Sequence, residues 1–302
     1  MNILVTGATG LIGDKLCRFL YNKHQVYVLT RNVPKAQGQF KNRVTCVDTL
    51  EDVDFNDLDA VINLAGEPIA DSRWTEKQKM QIRDSRLDIT AKIVEKIAQA
   101  KNPPHTFISG SAVGYYGRQD NDTLIDESCQ HPYQEFSHTL CKQWEELAMS
   151  AQSSNTRVCI LRTGIVLSQH GGALGKMLLP FKLGLGGKLA SGQQMMSWIH
   201  IDDMTHIILY LLKHHELSGV FNATAPNPVS NYDFTKALCR ALNRPMLFPM
   251  PENILKMLFG EMADLLIYGQ AVLPKRLQRA GYHFRYNNIN EALKSLLVRN
   301  NE

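Results

Sequence analysis

Short apolar runs alternate, along the first half of the chain, with longer segments whose apolar positions recur at helical spacing. The apolar runs predict strands at residues 2–6, 25–30, 43–47, 60–64, 105–109 and 157–162. The helical patterns cover residues 11–23, 75–100 and 134–152. Because the strands are apolar at nearly every position, they favour a parallel sheet with helices on both faces. The predicted fold class is therefore α/β, a Rossmann-type doubly wound parallel sheet.

The pattern changes after residue 165. Residues 168–198 carry many glycines, which is typical of a long, partly mobile segment over a site. From about residue 220, proline-rich turns separate short helical patterns. We therefore predict a cofactor-binding Rossmann domain at 1–165 and a smaller C-terminal α/β substrate domain at 166–302. Segments near 197–222 are candidates to return to the Rossmann sheet.

A glycine loop, GATGLIG at residues 7–13, joins the first predicted strand to the first predicted helix. Gly7 permits a tight turn, Gly10 lets the backbone approach a pyrophosphate, and Gly13 lets the helix pack close to the sheet. The loop and the first helical amides then face the phosphates, through Thr9, Leu11 and Ile12. The alternative is an ordinary glycine turn, but the preceding strand and the following helix both favour a dinucleotide site.

The end of the second predicted strand indicates which dinucleotide is bound. NAD-binding proteins usually place a carboxylate there, whereas this strand ends in Thr30 and Arg31. A guanidinium can make paired hydrogen bonds to a 2′-phosphate, so we predict NADP(H) as the cofactor. A solvated surface arginine is the alternative. Asp48, after the third strand, is placed either to accept a hydrogen bond from the adenine amino group or to serve as a plain turn residue.

Composition and charge restrict the possible partners. The chain is 44% hydrophobic and 21% charged, with a net charge of +4 and no basic stripe, so we expect no nucleic-acid partner. The six cysteines show no metal-ligand or disulfide spacing, which predicts no metal and a reducing, cytoplasmic location. The chain shows no signal peptide and no apolar run long enough to span a bilayer, so we expect no membrane partner. We therefore expect a small-molecule substrate. The protein is expected to be a monomer or a homodimer.

Further motifs give the chain a specific resemblance. From end to end it resembles the YfcH-like "epimerase family" proteins, within the extended short-chain dehydrogenases/reductases. The matching segments are residues 5–13, 63–69, 109–117, 161–168, 171–174, 197–203, 221–226 and 269–276. The resemblance implies a sugar-nucleotide-epimerase-like fold with a small C-terminal domain.

The resemblance also implies residue roles. The backbone at Leu64, Ala65 and Gly66 is expected to pass under the cofactor ribose. Arg86 stands where many family members carry an asparagine, and it is expected either to reach the cofactor or to be an exposed helix arginine. Ser111 falls at the position of the family's catalytic serine, where a hydroxyl can bind the reacting oxygen of a substrate.

The chain departs from the family at the Tyr-x-x-x-Lys pair, which supplies the general acid/base. On the helix predicted at 134–152, Ser137 and Cys141 fill the two positions. The Tyr-x-x-x-Lys sequence at Tyr232 and Lys236 lies in the second predicted domain and is not expected to serve.

Three other residues are candidates for the missing acid/base. Tyr115 and Tyr116 follow Ser111 on the same loop, and each needs a nearby cation, for which Arg86 is the candidate. His200 lies in a segment that resembles one returning to the site; a structural histidine paired with an aspartate is its alternative reading. We therefore expect an NADP(H)-dependent oxidoreductase or epimerase acting on a small polar substrate, with nucleotide-linked compounds among the candidates. The alternative is a non-catalytic NADPH-binding sensor or regulator.

Overall fold

The first half of the chain forms the strands that its apolar runs predict. The computed structural model describes residues 1–297. Its strands are β1 (Asn2–Thr6), β2 (Gln25–Leu29), β3 (Thr45–Val47), β4 (Ala60–Asn63), β5 (Thr106–Ala112), β6 (Leu124–Ile125), β7 (Arg157–Thr163), β8 (Ile165–Leu167), β9 (Met195–Met196), β10 (Trp198–His200), β11 (Gly219–Ala223), β12 (Val229–Ser230) and β13 (Ala271–Val272).

Helices separate these strands. They are α1 (Leu11–Leu20), α2 (Val33–Phe40), α3 (Glu76–Gln99), α4 (Phe136–Met149), α5 (Gly172–Lys182), α6 (Ile201–Lys213), α7 (Asn231–Ala241), α8 (Glu252–Phe259), α9 (Asp264–Ile267), α10 (Lys275–Arg279) and α11 (Ile289–Leu297). Within residues 1–297, none of them is long and apolar enough to cross a membrane.

A single parallel sheet organises the molecule. Its strand order is β11-β7-β5-β4-β1-β2-β3, and every neighbouring pair is parallel. The chain moves outward from β1 to β3 and then returns to place β4 on the other side of β1. Such a reversal opens a crevice at the carboxyl ends of the two central strands, where ligands bind in folds of this kind. The predicted fold class is confirmed.

Alternate residues of the central strands supply both hydrophobic layers. Ile3 and Val5 of β1 pack on one face with α1 and α6, while Leu4 packs on the other with α3. Because both faces are covered, the strands have almost no polar positions, which is why their apolar runs are readable in the sequence.

The second half of the chain both joins this sheet and builds a separate core. β11 adds to the sheet beside β7, with Phe221 opposite Leu161. A further cluster centres on Trp198, Phe234 and Leu293, with the strand pairs β10-β8 and β12-β9 around it, while β13-β6 packs separately with Tyr116. The division at residue 165 stays a prediction.

Two elements differ from the sequence prediction. The glycine-rich stretch at 168–198 contains the helix α5, whose Leu174, Leu178 and Phe181 are buried at helical spacing. No helix was predicted between β2 and β3, yet α2 forms there, with Asn32 capping it by accepting from the Lys35 amide. Both helices contain glycine and proline, the residues of lowest helix propensity, so their composition does not predict a helix.

Candidate functional site

The glycine loop closes tightly against the neighbouring strand. Gly7 has φ +66°, and a Cβ on it would lie 2.5 Å from the Leu64 carbonyl carbon. A Cβ on Gly13 would lie 2.3 Å from the Gly7 carbonyl oxygen. These two positions therefore accept only glycine. The loop draws the start of α1 against the end of β4.

The first turn of α1 faces the crevice without a side-chain cap. Gly10 occupies the N-cap position. Because glycine has no side chain, it supplies no capping hydrogen bond to the first amides of α1. The helix begins at Leu11, so the amides of Leu11 and Ile12 belong to the first turn, which has no intrahelical acceptors. Thr9 and Gly10 are exposed beside them. This end of α1 is suited to an anion.

A buried hydrogen-bond chain fixes the end of β4. Thr6 Oγ1 donates to Asn63 Oδ1 at 2.6 Å and accepts from the Ala65 amide at 3.2 Å. Asn63 Nδ2 donates to Thr90 Oγ1 at 2.8 Å, and that hydroxyl donates to the Arg86 carbonyl at 2.7 Å. The network ties β1, β4 and α3 together. It holds the backbone at residues 64–66 beside the glycine loop.

Arg86 lies at the edge of this crevice. Its guanidinium carbon lies 5.4 Å from the Trp144 ring centre, and Nη1 donates to the Ile82 carbonyl at 2.9 Å. A Cβ on Gly66 would lie 2.8 Å from that guanidinium carbon. Burial lowers the pKa of Arg86. The arginine is thus packed into the site, unlike the exposed helix arginine of the alternative reading.

A polar cleft joins the end of β2 to the segment after β4 and to α3. Arg31 is exposed just beyond β2 and lines a cleft of about 610 Å³ with Glu67, Ser85 and Asp88. Thr30 donates its amide to the Val47 carbonyl at 2.9 Å, which places Arg31 between the ends of β2 and β3. Asp48 is exposed next to Val47. Arg31 and Asp48 therefore lie on adjacent strand ends.

Ser111 begins a buried network. Its hydroxyl donates to Glu145 Oε1 at 2.6 Å. Arg162 clamps the same carboxylate with Nε to Oε1 at 2.8 Å and Nη2 to Oε2 at 2.7 Å. Burial alone lowers the pKa of Arg162, but the hydrogen bonds to Glu145 outweigh it and raise the pKa. Because the Ser111 proton is committed to Glu145, the hydroxyl offers its lone pairs to a ligand.

The two tyrosines after Ser111 have different surroundings. Tyr116 is fully buried, and its hydroxyl donates to Asn222 Oδ1 at 2.7 Å and accepts from Arg162 Nη1 at 3.1 Å. Burial raises the pKa of Tyr116 to about 12. Tyr115 is half-buried, with its ring centre 3.3 Å from the Arg162 guanidinium carbon. The cation beside both rings is therefore Arg162, and the expectation that Arg86 supplies it was wrong.

The positions of the missing Tyr-x-x-x-Lys pair lie against the Ser111 loop. A Cβ on Gly114 would lie 3.1 Å from Ser137 Cβ and 3.7 Å from Cys141 Sγ. Ser137 Oγ donates to Glu135 Oε1 at 2.6 Å, and Glu135 Oε2 lies 3.5 Å from the Nε of Arg118. Burial raises the pKa of Cys141 to about 11, so it is held as a thiol.

His200 has partners of its own. Its Nδ1 accepts from the Asp202 amide at 3.0 Å, capping α6, and its Nε2 lies 3.1 Å from Ser295 Oγ. The ring stacks on Tyr286 at 3.8 Å, and burial lowers its pKa to about 4. These contacts support the structural reading of His200, so it does not enter the proposal below.

Glu145, Arg162 and Glu135 were not predicted as site residues. One signal was available, because Ser137, Cys141 and Glu145 follow each other at four-residue spacing and so share one face of α4. A carboxylate on a buried helical face requires a partner. Its partner, Arg162, lies on another strand, and the sequence alone does not pair them. Among the described residues, no cluster of three or more His, Cys, Asp or Glu side chains could hold a metal ion.

Comparison with known proteins places this geometry in a family. Residues 3–224 match the NAD dependent epimerase/dehydratase family, and residues 250–296 match a domain of unknown function, DUF1731. The chain is 37% identical to the chloroplastic SDR39U1 homologue of Arabidopsis thaliana, an epimerase family protein, covering 98% of this chain and 87% of that one. It is 36% identical to the epimerase family protein YfhF of Bacillus subtilis, covering 99% and 98% respectively.

A solved structure is similar over the full length. The crystal structure of human epimerase family protein SDR39U1 (isoform 2) with NADPH has a TM-score of 0.90 and 33% identity. The match covers 98% of this chain and 99% of the human chain. The chain therefore belongs to the NAD-dependent epimerase/dehydratase family, as an epimerase family protein with a DUF1731 C-terminal domain.

Proposed function

We propose that this protein binds NADP(H) across the carboxyl ends of β1 and β4 and acts as an oxidoreductase or epimerase on a small polar substrate. The observation that carries the proposal is the closure of Gly7 and Gly13 against Leu64 and Ala8, which leaves the uncapped first turn of α1 facing the crevice. The human relative of similar fold was crystallised with NADPH.

The proposed cofactor contacts follow the crevice from end to end. Backbone amides from Gly10 to Gly13 take the pyrophosphate. Arg31 takes the 2′-phosphate, and the backbone at residues 64–66 lies under the nicotinamide ribose. Asp48 at the neighbouring strand end accepts from the adenine amino group. Arg86, packed on Trp144 and beside Gly66, reaches the cofactor from α3.

A bound nicotinamide supplies the hydride donor or acceptor. The chain's own residues orient the reacting group and move its proton. Ser111, with its hydrogen on Glu145, accepts a hydrogen bond from a neighbouring polar hydrogen of the substrate, while the hydroxyl to be oxidised donates to Ser137 Oγ. When that hydroxyl is oxidised, its proton passes to Ser137 Oγ as Ser137 passes its own to Glu135. The proton ends on the Glu135 carboxyl, and the reverse reaction returns it.

Glu135 suits this role better than Glu145. Arg162 holds both oxygens of Glu145 in a buried pair whose side chains are 6% and 7% exposed. Glu135 is 22% exposed, and its arginine neighbour stands at 3.5 Å, beyond the length of a charge-assisted hydrogen bond. Its carboxylate therefore remains available to accept a proton.

A non-catalytic NADPH-binding sensor is the second candidate. The replacement of the family's tyrosine and lysine by Ser137 and the buried thiol of Cys141 favours it. In that case the nucleotide crevice works as proposed, while the Ser111 network serves stability alone. A cytoplasmic location and a monomer or homodimer stay predictions.

Turnover and nicotinamide exchange decide between these candidates. The protein is incubated with labelled NADPH and a panel of carbonyl compounds and nucleotide sugars, and isotope loss from nicotinamide C4 is followed. We expect exchange with at least one compound, and a decrease of about 100-fold in Ser137→Ala and Glu135→Gln with an unchanged NADPH Kd. Lys142→Ala, on the exposed side of α4, is the control. Tight NADPH binding with no exchange over the whole panel would favour the sensor.

A further inference from the structure

An exposed apolar face covers one side of the second half of the chain. Its members are large aliphatic or aromatic side chains, between 42% and 68% exposed. They are Leu179, Leu183, Leu185, Leu247, Phe248, Ile254, Met257 and Leu258. Exposed apolar residues of this size are normally scattered, and a cluster marks an interaction surface.

Backbone hydrogen bonds show that the two loops of this face run side by side. The Leu247 and Phe248 amides both donate to the Gly186 carbonyl, at 3.3 and 3.4 Å. The Met250 amide donates to the Lys188 carbonyl at 2.9 Å. The loop that follows α5 is therefore adjacent to the loop that leads into α8.

α8 extends the same face. It begins at Glu252, two residues after Met250. Ile254, Met257 and Leu258 lie three and four residues apart, so they share one side of the helix. Leu255 points the other way and is fully buried. α8 is thus amphipathic: Arg73 donates to the Met257 and Leu258 carbonyls at its C-terminal end, while the side chains of the stripe stay exposed.

Most charges around the face are basic, and its acidic neighbours Asp71, Glu252 and Glu261 are each paired with a lysine. Residues 172–190 contain Lys176, Lys182 and Lys188 and no aspartate or glutamate, and residues 240–251 contain Arg240 and Arg244 and no aspartate or glutamate. Lys182 and Arg244 are exposed at the edge of the apolar face, where Arg244 Nε donates to the Lys182 carbonyl at 2.7 Å. The carboxylate of α8, Glu252, pairs with Lys256 at 2.7 Å.

The exposed apolar side chains and the basic residues around them together indicate what kind of partner binds this face. A second copy of the chain would set the same basic edge against itself across a two-fold axis, which like charges oppose. Aliphatic side chains rimmed by lysine and arginine match the boundary of an anionic bilayer, where apolar groups enter the acyl layer and cations meet the headgroups. We propose that this face docks on an anionic phospholipid surface.

Docking of this kind is distinct from the nucleotide site and from spanning a membrane. No membrane partner was expected from the sequence, because no apolar run is long enough to cross a bilayer. Adsorption needs only an apolar face and a basic rim, both of which arise from segments that meet after folding. The proposal does not depend on the nucleotide function.

Vesicle co-sedimentation of the full chain tests the proposal. The vesicles contain phosphatidylcholine alone or with about 30 mol% phosphatidylglycerol, whose charge supplies the surface potential. We expect binding to the anionic vesicles, little binding to the neutral ones, and a decrease as salt is raised. The double variant Leu247→Ser/Phe248→Ser and the charge variant Lys182→Glu should each weaken binding about fivefold or more. Leu124→Ser, equally exposed at 64% but outside the face, is the control.

Thermal unfolding and NADPH affinity of each variant are measured alongside, so that a folding defect is recognised. If the double variant does not fold, Lys182→Glu alone carries the test. Equal binding to both vesicle types, no binding to either, or variants that bind like the parent would overturn the proposal. A dimer in solution that the same substitutions dissociate would also overturn it, because the face would then cover a second copy.

Discussion

Ser111 and Glu145 are joined by a 2.6 Å hydrogen bond between β5 and α4, and Arg162 of β7 closes the same carboxylate from the other side. β5, α4 and β7 thus meet at one buried ion pair beneath the candidate reaction centre. Because a buried charge without its partner is costly, this pair ties the stability of the fold to the shape of the site.

Glu145→Gln tests that relationship. The amide can still accept from Ser111, but Arg162 loses its counter-charge in a buried position. We expect the free energy of unfolding to fall by about 3 kcal/mol in urea denaturation. Glu146→Gln, at the exposed neighbouring position, should change it by less than about 0.5 kcal/mol. Equal effects of the two substitutions would show that the pair does not stabilise the fold.

The glycine loop gives a second prediction. Gly13→Ala places a methyl group where the Gly7 carbonyl oxygen lies, so the loop must open. We expect the NADPH Kd to rise by about tenfold or more, measured by fluorescence titration. Gly38→Ala, in α2 with no atom within 4 Å of the added carbon, should bind NADPH normally and be slightly stabilised. A Gly13→Ala protein that binds like the parent would contradict the assigned role of the loop.

His200 predicts a pH dependence of stability. Burial lowers its pKa from 6.5 to about 4, so the unfolded chain binds the proton more readily than the folded one. The stability from the neutral ring is therefore complete above pH 6.5 and is lost as the pH falls towards 4. His200→Asn keeps a helix-capping side chain without this titration. Its unfolding free energy should depend less steeply on pH between 6.5 and 4, and an unchanged slope would contradict the assignment.

The sequence predicts most of the sheet because buried parallel strands are apolar throughout. β11 was not among the predicted strands, because Gly219 and Asn222 interrupt its apolar run, although segments near 197–222 were candidates to return to the sheet. The glycine loop could be predicted because its residues are contiguous in the sequence and are required by the geometry of the backbone. The pair of Glu145 and Arg162 was not, since the two residues meet only when β7 packs beside α4. Cofactor contacts made by backbone are thus easier to predict than side-chain networks assembled across elements.

The measurement that tests the central claim most directly is the affinity for NADPH and for NADH in the parent protein and in Arg31→Ala. We expect the parent to prefer NADPH. Arg31→Ala should weaken NADPH binding by about tenfold or more, the value of a charge-assisted phosphate contact, while NADH binding is nearly unchanged. Arg43→Ala, an arginine packed on Tyr21 away from the crevice, should alter neither affinity. Equal losses for the two nucleotides, or a parent protein that binds neither, would contradict that claim.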